Sequence, residues 1–87
     1  MRQLQDKLLK DYTDALEAYL QGGGEAALDC AYEVGRMAVE NRLGVLDVTR
    51  IHQDALEAIV KRSSEQPGGT WRVKLASDVL NEALGPF

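Results

Sequence analysis

Apolar side chains recur every three or four positions along four stretches of this chain, the spacing that lines one side of an α-helix. The first stretch, from about Gln3 to Gln21, carries Leu4, Leu8, Tyr12, Ala15, Leu16, Tyr19 and Leu20, with Asp6, Lys7, Lys10, Asp11, Asp14 and Glu17 between them. Asp6 and Lys10 stand four apart in the favourable order and are expected to pair. Gly22-Gly23-Gly24 should stop this helix, because glycine enters the left-handed conformation readily and loses much entropy inside a helix. The second stretch, from about Glu25 to Asn41, has Leu28, Ala31, Tyr32, Gly35, Ala38 and Val39 as its expected buried stripe. Glu25 near its start and Arg42 near its end suit the helix dipole.

Arg42-Leu43-Gly44-Val45-Leu46 forms a short joint, and Asp47 is the expected N-cap of a third helix over about Val48 to Arg62. Val48, Ile51, His52, Ala55, Leu56 and Ile59 make its apolar side, and Lys61 and Arg62 complement its C-terminus. Ser63-Ser64-Glu65-Gln66-Pro67-Gly68-Gly69 reads as a polar, mobile loop. Thr70 then caps a fourth helix over about Trp71 to Leu84, with Val73, Ala76, Val79, Leu80, Ala83 and Leu84 on its stripe. No stretch alternates over a useful strand length. Short connections imply antiparallel neighbours, so the expected fold is all-α: one antiparallel four-helix bundle over residues 1–87 with a single core.

The segment Asp29–Leu56, two amphipathic patterns meeting at the glycine-containing joint, carries most of the information. Gly35 lies inside a helix, where glycine costs about 1 kcal/mol relative to alanine. A close approach by a neighbouring helix, or by Tyr12 or Tyr19, would offset that cost.

Composition narrows the function. Hydrophobic residues make up 45% and charged residues 28%, an ordinary globular balance. A domain of 87 residues buries only roughly 60% of its unfolded surface, so self-association would help it. The net charge of −4 lacks the basic footprint of nucleic-acid binding and does not suit an anionic membrane. No apolar run approaches the ~18 residues of a membrane span, and the mixed charge of the N-terminus does not read as a secretory signal. The single cysteine, Cys30, is expected as a small buried hydrophobe in a reducing, cytoplasmic setting.

Chemistry finds little purchase. His52 is the one acid–base candidate, but Asp47 and Glu57 are five residues away on either side, off its helical face, and Asp54 lies nearby in sequence only. The expected role for His52 is a half-buried ring whose nitrogens bond a tyrosine or backbone oxygen, with pH sensing as the other use of a histidine there. Ser63 and Ser64 lack a nucleophile-elbow context, and Gly22-Gly23-Gly24 lacks the strand and Lys-Ser/Thr ending of a phosphate loop. Gly68-Gly69-Thr70 reads as a turn and cap. Tyr12, Tyr19 and Tyr32 read as core, and Trp71 as a cover for the bundle end or a subunit contact. No catalytic residue, metal or cofactor is expected.

Four groups of residues carry a resemblance. They are Tyr12-x-x-x-Leu16-x-x-Tyr19-Leu20, then Leu28-x-x-Ala31-Tyr32-Glu33-x-Gly35-Arg36, then Ile51-His52-x-x-Ala55-Leu56, then Leu80-x-Glu82-x-Leu84-Gly85-Pro86-Phe87. Together they resemble the N-terminal regulatory domain of RsbU-type, PP2C-like serine phosphatases of bacterial stress and sigma-factor signalling, a domain similar in fold to the C-terminal domain of KaiA. The Gly-Arg, Ile-His and Pro-Phe elements carry most of the likeness. The resemblance implies a homodimeric helical domain that receives a switch protein of the RsbT kind. Docking on the domain and its following linker then turns on an attached phosphatase that acts on an anti-anti-sigma factor. The triple glycine has no place in that pattern.

The expected partner surface lies on the solvent faces of the second and fourth helices, at Asp29, Glu33, Arg36 and Asn81, which sit off the apolar stripes. Phe87, a large aromatic in the last position, leads to the expectation that the natural chain continues into a helical linker and output domain. Two other readings remain open. One is a small-molecule-sensing bundle with its site near Gly35 and His52, attached to another signalling output. The other is a stand-alone helical adaptor dimer.

Overall fold

The computed structural model describes residues 2–62 and 70–87. They form four helices: α1 (Arg2–Leu20), α2 (Gly24–Glu40), α3 (Val45–Arg62) and α4 (Thr70–Leu84). No strand occurs among the described residues, and no helix there is long and apolar enough to cross a membrane. The expected loop Ser63–Gly69 lies outside the described residues, as do the side chains of Thr70, Trp71 and Val73, to which a cap, an end cover and a stripe position were assigned.

The helix ends have local causes. At the end of α1 the Gly22 amide donates to the Tyr19 carbonyl at 3.0 Å and the Gly23 amide to Ala18 at 2.7 Å, with Gly22 at φ 95. This pair of reversed bonds satisfies carbonyls the helix leaves open and needs one left-handed residue, which glycine supplies without strain. The end of α2 uses the same closure: the Arg42 amide donates to Val39 at 3.1 Å and the Leu43 amide to Ala38 at 2.9 Å. Here the left-handed residue is Arg42, at φ 66. Arg42 therefore lies just past the helix, near its C-terminal end as expected. Leu43, next in line, packs against the core.

The start of α3 also differs from expectation. The helix begins at Val45, and Asp47 sits inside its first turn rather than before it. The Asp47 carboxylate accepts the Gly44 backbone N–H at 2.8 Å, while the Gly44 carbonyl accepts the Asp47 amide at 3.0 Å. Asp47 thus closes the turn from the third helical position, reaching back as the acidic member of a capping box does. On α1 the expected Asp6–Lys10 pair is replaced by Lys7–Asp11 at 2.7 Å and Lys10–Asp14 at 3.1 Å. Both pairs are exposed, so little energy selects one register over another.

α1 packs against the other three helices, and α4 packs against both α2 and α3. α2 and α3 therefore lie on opposite flanks. The largest fully buried side chains are Tyr12, Leu8, Leu16, Val48 and Val79. Alanines at 15, 31, 38, 55, 76 and 83, with Val34, Ile51 and Ile59, fill the rest of the described core. Small residues at helix contacts let backbones come close, and one contact goes to the limit: a β-carbon on Gly35 would overlap the Ala83 carbonyl oxygen of α4. The helical glycine thus has the neighbouring-helix role expected of it.

This approach sets the rotation of α2. Its buried residues are Ala27, Ala31, Val34, Gly35 and Ala38. Tyr32 and Val39, assigned to the buried stripe, are each 41% exposed. Tyr32 covers the end of α4 instead, where its ring would lie 3.4 Å from a β-carbon on Gly85.

Candidate functional site

The one histidine is engaged inside the fold. Tyr12 of α1 is fully buried, and its hydroxyl lies 2.6 Å from His52 Nδ1 of α3, with the rings edge to face at 5.7 Å. Burial raises the Tyr12 pKa and lowers that of His52, so both partners are neutral and share one hydrogen bond whose direction follows the imidazole tautomer. Among the described residues no carboxylate bonds that ring, and the tyrosine partner expected for it is present. At Gly35 the Ala83 backbone occupies the space a β-carbon would take. Tyr19, also read as core, is half-buried and donates a long 3.4 Å hydrogen bond to Asp78 Oδ2; burial and then Asp78 raise its pKa.

Charge gathers on the outer side of α2. Asp29, Glu33, Arg36 and Glu40, spaced by four, three and four residues, share the side opposite the core, and all are exposed. The Arg36 guanidinium bridges the two glutamates. It donates to Glu33 Oε1 from Nε at 3.0 Å and Nη2 at 2.7 Å, and to Glu40 from Nη1. The hydrogen bond from Arg36 holds the Glu33 carboxyl below its ordinary range, and the same bond raises the Arg36 pKa. The result is a pre-ordered planar cation between two acceptors, held by one helix. Asn81, on α4, is exposed as expected.

Beside this face, between α1 and α2, runs an open groove of about 580 Å³. Its floor is apolar and made of small or flexible side chains: Ala15, Ala18, Ala26, Cys30, Val34 and Met37. Asp11 and Asp14 of α1 and Glu33 of α2 stand among its lining residues. Cys30 is exposed there, which corrects its expected burial. The stripe of α2 is rotated toward Ala27 and Val34, and Cys30 falls past its edge onto the groove floor. The sequence reading missed the groove. The signal was present as small residues at 15, 18, 26 and 27, on the mutual faces of two helices joined by a glycine turn.

A smaller hollow of about 260 Å³ lies between α1 and α3, lined by Gln5, Asp6, Leu9, Asp47, Arg50 and Asp54 among others. Among the described residues no group of three histidine, cysteine or carboxylate side chains is arranged to hold a metal ion.

The family model described as the N-terminal domain of the phosphoserine phosphatase RsbU matches residues 10–87, a span that leaves out only the first part of α1. No curated protein and no solved structure matches the chain.

Proposed function

The chain belongs to the RsbU N-terminal domain family, the regulatory rather than the catalytic part of that phosphatase, and from this premise we propose that it is a docking and dimerisation module. It receives a switch protein of the RsbT kind and passes the event to an attached PP2C-like serine phosphatase in bacterial stress signalling. On this reading the helices form an antiparallel bundle, the domain works as a homodimer in the cytoplasm, and the partner meets Asp29, Glu33, Arg36 and Asn81.

One observation carries the reading. Tyr12 and His52 engage each other inside the fold, while α2 presents a ladder of exposed charge around Arg36. A protein partner can read a guanidinium already held in place, because less entropy is lost in ordering it. Self-association is supported by large apolar side chains left exposed elsewhere: Leu46 at 82%, Val60 at 64%, and Val45 and Phe87 at 45% each.

The test is phosphatase turnover by the full-length parent, with and without a switch protein of the RsbT kind. The reading expects the switch protein to raise turnover and expects deletion of residues 1–87 to abolish the response. Equal stimulation without them would refute it.

A further inference from the structure

Resting on the docking role proposed above, we propose that the groove between α1 and α2 is the seat for one amphipathic helix of a partner protein, a helix with small apolar residues along its seam and lysine or arginine along its edges.

The shape points to a helix. The lining residues run from Gly23, the N-cap of α2, to Met37, about four turns of helix. Their side chains are mostly no larger than alanine or cysteine, so a third helix can approach closely, as α4 approaches Gly35 on another side of α2. Met37 at one end adapts its shape to whatever ridge is offered.

The charge points to a basic partner. Among the described residues the groove is lined by Asp11, Asp14 and Glu33 and by no lysine, arginine or histidine. Each carboxylate now meets a cation on its own helix: Lys7, Lys10 and Arg36. Those pairs are exposed and short-range along one helix, so exchanging them for an incoming cation costs little. A basic edge also steers encounter with a chain of net charge −4. A second copy of this chain is a poorer occupant, because a two-fold contact would set the same acidic residues against each other.

The experiment uses a fluorescent peptide of about four helical turns, alanine and leucine on one face and lysine along both edges, and a twin with glutamate at the edges. Peptide binding is read by anisotropy, and groove occupancy by the rate at which a maleimide modifies Cys30. The lysine peptide should bind and slow Cys30 modification, and the glutamate twin should do neither. Ala26→Trp, which fills the floor, and the double variant Asp11→Lys with Asp14→Lys should each weaken binding by at least about tenfold at unchanged helicity. Asp54→Lys, a charge reversal outside the groove, should bind as the parent does.

Equal binding of the two peptides would overturn the proposal. So would unchanged affinity in both groove variants, or Cys30 reacting at its free rate with peptide bound. Cys30 protection that grows with protein concentration alone would give the groove to a second copy, and protection by small apolar molecules but not by the peptide would give it to a ligand; either result also overturns the proposal. Capture of an RsbT-kind switch protein, measured on the same variants, separates the two ideas. Capture retained by Ala26→Trp refutes the groove and leaves the docking role standing. Absence of capture by the unaltered domain removes the docking role, and the peptide data still decide the groove.

Discussion

Gly35 of α2 meets Ala83 of α4 so closely that a β-carbon on Gly35 would lie 2.8 Å from the Ala83 carbonyl carbon and 3.2 Å from its Cα. The atoms in the way are backbone, which cannot swing aside as a flexible side chain can. Alanine at 35 would gain about 1 kcal/mol of helix propensity. Separating α2 from α4 costs more, as overpacking a filled contact does, for a net loss on the order of 2 kcal/mol. Urea unfolding of Gly35→Ala should show a lower midpoint at an unchanged slope. A raised midpoint would mean that the two helices do not meet there.

The Tyr12–His52 pair gives stability a pH dependence with a definite sign. Burial lowers the folded-state pKa of His52, so the unfolded chain takes up the proton first as pH falls past about 6.5. Stability should therefore decline from that pH downward until the folded histidine also protonates. Glu33, with its pKa lowered chiefly by the Arg36 hydrogen bond, adds a loss of the same sign at lower pH. Thermal unfolding across pH 5–8 should show the slope, and His52→Gln should flatten it. Stability that rises on acidification to pH 5 would contradict the account.

Removing the Tyr12 hydroxyl has its own consequence. Tyr12→Phe leaves His52 Nδ1 without its 2.6 Å partner and should cost about 1 kcal/mol. On the alkaline side the raised pKa of Tyr12 means that stability is lost as pH climbs past about 10, where the unfolded phenol ionises first. In Tyr12→Phe that alkaline loss should shrink. An unchanged alkaline limb in urea melts would assign it to other residues.

Much of the architecture was legible because it depends on periodicity and on glycine. α1, α2 and α4 begin and end within one residue of the boundaries read from their apolar spacing, and the Gly35 contact was foreseen as a neighbouring helix. What was not legible depends on which neighbour wins. The stripe of α2 is wide enough to include either Tyr32 and Val39 or Ala27 and Val34. Only the approach of α4 onto Gly35, with α1 beside it, selects the second set and turns Cys30 outward. The groove follows from that same rotation, so it was hidden for the same reason. The start of α3 was misjudged because an aspartate can close a helix from the cap or from the third position, and spacing alone does not choose.

Arg42 carries strain that can be relieved. A residue with a β-carbon at φ 66 pays roughly 1–2 kcal/mol for the left-handed conformation, and glycine does not. Arg42→Gly should stabilise the domain by about 1 kcal/mol, since greater freedom in the unfolded chain takes back part of the gain. A lower melting temperature for this variant would show that the Arg42 side chain contributes a contact that outweighs the strain.

On the proposed function, the outer face of this helical domain works by capturing a protein partner. Calorimetric titration of a switch protein of the RsbT kind into the domain, beside the double variant Glu33→Arg with Arg36→Glu, tests it most directly. The exchange leaves the net charge and helix content unchanged but reverses the pattern the partner reads. The account predicts saturable binding to the parent domain and affinity at least about tenfold weaker in the variant, with identical helicity. Equal affinity of the two proteins would contradict it.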